Sequence, residues 1–416
     1  MAGSQKTSNR KQRRILTGEE QISSYMAAVA RANGVQNVSQ KFSVIPTLFQ
    51  QLLKEIQEST EFMQRINHFT VNNLKTGKLY SDLGSPITKR TKVTDTVKRK
   101  ALVGSSEYPL EIELTRYEHD IRTDWDKIDE YASFPNFRQI LQELKITKIA
   151  CDRMFIAWNG TSRADNTDPA NDLKDVDIGW PEQLRIANPS NYVSEGQIAG
   201  SGRVTIGKFK TVTNKGDWAD ATAYVVGDAV VSDSTQFFCI KTHTSASGTP
   251  AVAAPTVAAP TANWTFRPDF KNLSQAAADI KFMIPPRLRN GNNLVLMVGE
   301  GIVQHEESKI FGEWGDIPSE SKDIIQLTKS YGGLPAYMVP FFPSDSICVT
   351  TWKNLSWYTQ KNSLRRYLVN DPNELALIDY NSLNAMPAVE NFDLMAFYTN
   401  IEYIDIDDID YALTAS

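Results

Sequence analysis

One long helical pattern constrains the fold of this chain more than any other feature. It begins at Ser133 and Pro135 and ends at Asn159, and apolar residues recur every three or four positions along it. The main apolar stripe consists of Phe137, Ile140, Leu141, Leu144, Cys151, Met154, Phe155 and Trp158, and a second face carries Ile146, Ile149 and Ile156. At 1.5 Å per residue, some 24 residues span roughly 36 Å. We expect other elements to cover such a helix on both sides.

The rest of the chain mixes helical patterns with short strand patterns. Helical patterns follow Thr17 and Pro46 and recur over residues 273–282 and 302–312, and strand patterns cover residues 293–298, 335–358 and 388–411. Residues 67–117, rich in Val, Thr, Tyr, Lys and Gly, indicate a long two-stranded excursion with a basic tip around 84–104. Because strands and helices do not alternate regularly, the sequence predicts an α+β fold.

Composition excludes several classes of protein. The 416 residues are 41% hydrophobic and 22% charged, which is typical of a soluble globular protein with two or three domains. No apolar run is long enough to span a membrane, and the polar, basic N-terminus does not resemble a secretory signal. The widely spaced Cys151, Cys239 and Cys348 fit a reducing cytosol. A net charge of −5 argues against a dedicated nucleic-acid binder.

Charge is nevertheless unevenly distributed along the chain. Residues 1–14 and 75–100 are strongly basic, whereas the stretch from Glu402 to Asp410 is acidic. These segments are either solvated tails and loops, or basic arms that bind acidic surfaces of neighbouring copies. On the second interpretation, the candidate contact residues between subunits are Arg13, Arg14, Lys89, Arg90, Lys92, Lys98, Arg99 and Lys100.

Signals for catalysis or cofactor binding are weak throughout the sequence. Residues 202–208 (GRVTIGK) have the spacing of a phosphate loop, but Phe209 stands where a Ser or Thr hydroxyl should meet Mg²⁺. The 4 histidines are scattered without metal-ligand spacing, and there is no Gly-x-Ser-x-Gly motif. The acidic run Asp405–Asp410 is explained more simply by strand alternation than by a cation site. We therefore predict no catalytic, cofactor or metal residue.

Residues 213–268 differ in composition from their surroundings. They are rich in Ala, Thr, Val and aromatic residues, and the repeated VAAPT at 252–261 reads as a loop. The order of motifs, Trp218, Tyr224, Gly227-Asp228, Phe238-Cys239, His243-Thr244-Ser245 and Trp264, resembles the small carbohydrate-binding modules of chitinases. The resemblance implies a small three-stranded β domain inserted into the chain. Trp218, Tyr224 and Trp264 are then the candidates for stacking on a sugar, although a domain this small also needs aromatics for its own core.

A second resemblance covers most of residues 20–210 and 270–410. The motifs at Gly333-Leu334-Pro335-Ala336, Pro340-Phe341-Phe342-Pro343, Asn354-Leu355-Ser356 and Arg365-Arg366 occur in the order seen in major capsid proteins of peduovirus-type tailed phages. The stretch YMAAVARANG at 25–34 and the motif Phe155-x-x-Trp158-Asn159-Gly160 agree with it.

This resemblance implies the Hong Kong 97 type capsid fold, plus the small all-β insertion. The expected divisions are an N-terminal arm (1–45), a helix leading into the peripheral domain (46–66), an extended loop (67–117), a peripheral domain with the spine helix (118–180), an axial domain (181–212 and 269–370), the inserted module (213–268) and a return to the peripheral domain (371–416).

The function implied is structural. Such a protein assembles as hexamers and pentamers into the icosahedral head that encloses phage double-stranded DNA, without enzymatic activity or cofactor. Expected partners are further copies, the portal, scaffolding and protease proteins, packaged DNA by non-specific contact, and a decoration protein or surface glycans, but no membrane. The expected location is the virion, after assembly in the host cytoplasm. Family members are often trimmed near the N-terminus, and the sequence leaves trimming of this chain open.

Two other classes of function compete with the capsid. The chain would be a glycan-binding surface or adhesion protein if the module at 213–268 carried its main activity. The missing secretory signal and the unpaired cysteines argue against that class. A hydrolase with a sugar-binding module lacks a carboxylate pair that the sequence can single out.

Overall fold

A computed structural model gives the fold of the chain. It describes residues 18–78, 90, 110–131, 137–208, 213–232, 234–245, 255–256, 263–266, 268–290, 293–311 and 325–405. Its helices are α1 (Gly18–Asn33), α2 (Pro46–Glu58), α3 (Glu61–Arg65), α4 (Trp125–Tyr131), α5 (Phe137–Asn159), α6 (Trp180–Ala187), α7 (Leu273–Met283), α8 (Pro286–Arg289) and α9 (Glu300–Phe311).

The strands of the described residues are short, with one exception. They are β1 (Phe42–Ser43), β2 (Asn67–Val71), β3 (Lys75–Lys78), β4 (Leu110–Glu113), β5 (Thr115–Glu118), β6 (Ile121–Asp124), β7 (Tyr192–Val193), β8 (Val204–Lys208), β9 (Thr213–Asp217), β10 (Ala223–Tyr224), β11 (Asp228–Ser232), β12 (Thr235–Cys239), β13 (His243–Thr244), β14 (Trp264–Phe266), β15 (Val295–Val298), β16 (Ile325–Tyr331), β17 (Leu334–Met338), β18 (Ile347–Thr350), β19 (Leu355–Gln360), β20 (Arg365–Asp371), β21 (Ala376–Val389), β22 (Ala396–Tyr398) and β23 (Ile401–Asp405). The exception is β21, whose 14 residues organise the largest sheet.

The first sheet is built around β21. Along its path the strand order is β1-β20-β21-β19-β2, and β5 and β6 also pair with β21. The first half of β21 lies between β20 and β6, and its second half lies between β19 and β5. Helix α5 covers this sheet, and its residues Ile149, Met154 and Trp158 share one buried core with Trp357 and Leu383 of the sheet. The long helix is therefore confirmed, with an observed span of 23 residues.

The second sheet has six strands in the order β16-β17-β15-β18-β22-β7. Strand β15 is buried on every residue, as expected for a central strand. Helix α7 packs on this sheet through Ala276, Ala277 and Ile280, which share a core with Leu296 and Val349. The side chain of Asn272 accepts a hydrogen bond from the backbone of Gln275 and so caps the start of α7.

The two sheets do not follow the expected axial and return segments one for one, and those domain divisions stay predictions. Strands β19 and β20, expected in the axial part, pair with β21 and β2 in the first sheet. In the expected return segment, β22 pairs with β18 in the second sheet and β23 pairs with β8. Local sequence patterns cannot place most of these strands, because only β20 and β21 are neighbours along the chain and the other pairing partners are distant.

The expected two-stranded excursion is confirmed at its base. Strands β3 and β4 pair antiparallel from Lys75 opposite Glu113 to Lys78 opposite Leu110. The excursion is narrower than residues 67–117, because β2 and β5 at its two ends belong to the first sheet. We call β3 and β4 the ribbon. Apart from Arg90, the tip between these strands lies outside the described residues.

The described residues between 213 and 268 form a small β unit, and we call residues 213–268 the module. Its main sheet has four strands in the order β14-β12-β11-β9, and β10 pairs with β13. The prediction of three strands is therefore one strand short, because β9 pairs with β11 in parallel.

In the part of the chain that the structure describes, no helix is both long and apolar enough to cross a membrane.

Candidate assembly sites

A buried ion triad joins the long helix to the first sheet. Nζ of Lys145 on α5 lies 2.7 Å from Oδ2 of Asp379 on β21, and Arg366 on β20 binds both carboxylate oxygens of Asp379 at 2.8 and 2.7 Å. Nη2 of Arg366 also donates to the hydroxyl of Tyr25 on α1, at 2.7 Å. Helices α1 and α5 and the β20–β21 hairpin, which are far apart in sequence, are therefore linked through Asp379 and Arg366.

Electrostatics in the triad favour the charged forms of Asp379 and Arg366. Burial alone raises the pKa of Asp379, but Lys145 and Arg366 outweigh it and hold that pKa below its usual range. Burial alone lowers the pKa of Arg366, but Asp379 and Tyr25 raise it above its usual value. For Lys145 burial dominates and lowers the pKa. Pairs of this kind are costly to break one partner at a time.

The triad lies in an open cavity of about 900 Å³ between α1, α2, α5 and the first sheet, which we call the cleft. Its apolar lining comes from Val29, Leu48, Leu52, Ile146, Leu368 and Leu377. Its exposed or half-buried polar lining includes the carboxylates of Glu55, Glu58 and Glu143. The cleft therefore combines an apolar floor with an acidic edge.

A second polar centre fixes the loop that follows α5. The carboxylate of Asp177, which is fully buried, accepts hydrogen bonds from Thr115 at 2.9 Å and from Tyr117 at 2.8 Å. Arg163 pairs with its other oxygen at 2.5 Å. A Cβ added to Gly160 would lie 2.1 Å from the carbonyl oxygen of Asp177, so only glycine fits this close approach.

Arg153 is a buried cation in the middle of α5. Its side chain is 1% exposed, and Nε and Nη2 have no hydrogen-bond partner among the described residues. The guanidinium lies over the ring of Trp357, 5.2 Å from its centroid. Burial lowers the pKa of Arg153 to about 10. It also lowers the pKa of the nearby His68 to about 4 and of His119 to about 3, and the charge of Arg153 adds to both shifts.

Two of the three predicted sugar-stacking aromatics are core residues of the module. Tyr224 and Trp264 are only 1% and 2% exposed, and their rings meet edge to face with centroids 4.9 Å apart. The hydroxyl of Tyr224 accepts from the backbone of Ala219 at 2.9 Å. A sugar cannot reach either ring face, so the prediction is wrong for these two residues. Trp218 is half-buried against the same core, and its sugar-binding role stays a prediction.

The two chain segments that enter and leave the module lie side by side. Ile206 on β8 bridges to Phe270, and Asp269 accepts from the backbone and hydroxyl of Thr205, both at 2.8 Å. Strand β23 pairs in parallel along the whole of β8. Closely spaced ends are what a module carried on a loop requires.

The candidate phosphate loop forms a strand. Most of residues 202–208 belong to β8, and the next described element is the strand β9, whereas a phosphate loop requires a helix to follow. Among the described residues no group of three His, Cys, Asp or Glu side chains could hold a metal ion.

A contact between Cys239 and His243 does not form a nucleophile and base. The thiol lies 3.7 Å from Nδ1 of His243. However, Nδ1 lies 2.7 Å from the carbonyl oxygen of Lys241, which can only accept, so Nδ1 carries a proton and donates it to that carbonyl. Burial raises the pKa of Cys239 to about 11, which disfavours the reactive thiolate.

Most of the predicted inter-subunit contact residues lie outside the described residues. These are Arg13, Arg14, Lys89, Lys92, Lys98, Arg99 and Lys100. Arg90 is described and is exposed.

Comparison with known proteins identifies the family. Residues 21–244 and 256–401 match the family described as phage major capsid protein, P2 family. The chain belongs to this family. It is 25% identical over 376 residues to a protein described as "Capsid proteins" of Escherichia phage P2, covering 89% of this chain and 90% of the relative. It is 26% identical over 393 residues to the major capsid protein of Serratia phage KSP20, covering 92% and 96%.

A solved structure agrees on the fold. The chain in the structure titled "Satellite phage P4 procapsid including size determination (Sid) protein" is 21% identical and superposes with a TM-score of 0.65, covering 93% of this chain and 98% of that one. The expected Hong Kong 97 type fold is thus confirmed. The chain is a major capsid protein of a tailed phage, and its copies form the icosahedral shell of the virion.

The family match does not treat residues 213–268 as a foreign unit. It continues through residue 244 and resumes at residue 256. That the module is an insertion into the family fold therefore stays a prediction, as does any binding of glycans. The capsid relatives do not favour the alternative of a glycan-binding adhesion protein.

Proposed function

We propose that this capsid protein assembles as hexamers and pentamers that close around double-stranded DNA, with each ribbon lying on a neighbouring subunit. Support comes from the ribbon itself. Among the described residues, β3 and β4 pair only with each other. At its base the ribbon is anchored on its own subunit, because Ile112 of β4 is buried against Tyr358 and Ala388 of the first sheet. Two strands alone are otherwise only marginally stable in water, so a neighbouring subunit is the expected support beyond that base. Contacts of this kind between subunits need about 1,000 Å² of buried surface to be stable.

The basic tip of the ribbon is the proposed electrostatic contact. The basic residues of the tip are Lys89, Arg90, Lys92, Lys98, Arg99 and Lys100, and Lys98 and Arg99 are chosen for the test. The test variant reverses two charges of the tip, Lys98→Glu/Arg99→Glu. The control variant, Lys241→Glu/Lys271→Glu, reverses one exposed lysine in the module and one just after it. We expect electron microscopy to find shells only from the control, while circular dichroism finds both variants folded. Normal shells from the first variant would contradict the contact.

We propose that the module lies on the outer surface of the shell and binds glycans or decorates the particle. Its half-buried Trp218 and the 52% exposed Val225 leave apolar surface available. The test is retention of particles on chitin and on peptidoglycan. We expect Trp218→Ala to abolish retention and Val225→Ala to preserve it. If the Trp218 variant were retained as well as the Val225 variant, glycan binding through Trp218 would be refuted and only the proposal of decoration would remain.

The remaining proposals concern partners and location. Portal, scaffolding and protease proteins are the proposed partners during assembly in the host cytoplasm, with a decoration protein and non-specific contact to packaged DNA in the finished virion. We also propose that the chain catalyses no reaction. The donor role of Nδ1 in His243 and the raised pKa of Cys239 support this.

A further inference from the structure

Two carboxylates of the acidic edge, Glu55 and Glu143, are held in place by amides, whereas Glu58 pairs with Lys54 at 3.6 Å. Oε1 and Oε2 of Glu55 accept from the amides of Gln51 at 2.8 Å and Gln142 at 3.0 Å, which ties α2 to α5. Glu143 accepts from Gln139 at 2.8 Å. Within the part of the chain that the structure describes, neither Glu55 nor Glu143 forms an ion pair. Two oriented carboxylates are thus available to a cationic ligand.

The floor of the cleft suits apolar side chains. Its two cations, Lys145 and Arg366, are both committed to Asp379, and their side chains are only 15% and 17% exposed. Leu52 and Ile146 line the space beside them. A cavity of about 900 Å³ is also at the upper end of the roughly 300–1,000 Å³ that ligand pockets enclose. A ligand that combines basic and apolar groups would match both the edge and the floor.

One segment of the chain has this combination. Residues 13–16 read Arg-Arg-Ile-Leu, two basic residues followed by two apolar ones, and Lys6, Arg10 and Lys11 precede them. This segment lies outside the described residues, directly before α1. We propose that residues 13–16 of one subunit dock in the cleft of an adjacent subunit, with the arginines on Glu55 and Glu143. The proposal rests on the assembly proposed above.

Chain length favours docking between subunits over docking within one. Helix α1 lines the cleft from Tyr25 to Asn33, and it starts at Gly18, which packs against Asp129 of α4. At 1.5 Å per residue, Val29 lies about 16 Å along α1 from Gly18. Ile15 is only three residues from Gly18 and reaches about 10 Å when fully extended. The same subunit can therefore bring the backbone of residue 15 only to the Tyr25 end of its own cleft, and an adjacent subunit is the better source of a segment that fills the rest.

Cysteine cross-linking tests the contact in assembled shells. Leu16→Cys and Gln142→Cys are placed on separate chains in a Cys151→Ser background, and the two chains are assembled together. Lys148→Cys, exposed on the same helix outside the cleft, is the matched control. We expect a disulfide-linked dimer with Gln142→Cys and only background with Lys148→Cys. Shells that form normally but give equal dimer yields would overturn the proposal, and so would cross-links found only when both cysteines are on one chain.

Charge exchange gives an independent readout. Arg13→Glu/Arg14→Glu is expected to lower the yield of shells severalfold, and Glu55→Lys/Glu143→Lys on the same chain is expected to restore it. The control pair Asp126→Lys/Glu130→Lys on α4 should not restore it. Equal rescue by both pairs would overturn the contact. If the parent protein forms no shells at all, the proposed assembly itself fails, which is a different result.

Discussion

Replacing Arg153 with methionine should stabilise the folded subunit. The guanidinium is 1% exposed, and two of its nitrogens find no partner among the described residues. A charge buried without a partner opposes folding, and an apolar side chain of similar length removes that penalty while it keeps the core filled. Methionine is flexible enough to occupy the space beside Trp357 without strain.

The magnitude follows from the pKa. Burial lowers the pKa of Arg153 from its usual value to about 10. Each unit corresponds to about 1.4 kcal/mol, so holding the charge in the core costs about 3 kcal/mol. The cation–π interaction between Arg153 and Trp357 offsets about 1–2 kcal/mol of that cost. The methionine variant loses this interaction. The expected net gain in the free energy of unfolding is about 1–2 kcal/mol.

Urea unfolding of unassembled subunits measures this gain. The matched control is Lys148→Met, an exposed position on the same helix, which should change stability by less than about 0.5 kcal/mol. A loss of more than about 1 kcal/mol in Arg153→Met would refute the reasoning. It would mean that buried waters or an anion satisfy the guanidinium in solution.

Three further predictions concern the other polar centres. Asp379→Asn leaves the two buried cations of the triad without a counter-charge and should cost about 3–5 kcal/mol in urea unfolding, whereas Asp124→Asn at an exposed pair should cost under about 1 kcal/mol. Burial lowers the pKa of His119 to about 3, so between pH 6.5 and 3 the unfolded chain takes up a proton at this residue and the folded chain does not. The free energy of unfolding should therefore fall as pH drops through this range. His119→Gln should flatten the acid side of a plot of unfolding free energy against pH. Gly160→Ala forces Cβ against Asp177 and should lower stability by about 1–3 kcal/mol in thermal unfolding, and an unchanged melting temperature would contradict the close approach.

Local patterns predicted the helices well and the first sheet poorly. The apolar periodicity of residues 137–158 is strong, and α5 ends at Asn159 as expected. In contrast, β21 mixes apolar residues with Asp379, Asn381 and Asn384 and contains Pro387, so it does not read as a long strand. Its residues are extended because four other strands pair with them. Strand β20 is its hairpin neighbour, whereas β5, β6 and β19 are brought to it by the tertiary fold.

The polar centres were only partly visible in the sequence. Arg153 interrupts the second apolar face of α5 between Ile149 and Ile156, and that interruption was a usable signal of a buried cation. The triad at Asp379 had no such signal, since its members come from α5, β20 and β21 and meet only after folding. The sequence offered two roles for the aromatics of the module, and for Tyr224 and Trp264 the core role is the one observed.

Electron cryomicroscopy of the purified full-length protein tests the central claim most directly. The account predicts closed icosahedral shells built from hexamers and pentamers, in which each β3–β4 ribbon rests on an adjacent subunit. A population of monomers that forms no shells would contradict it.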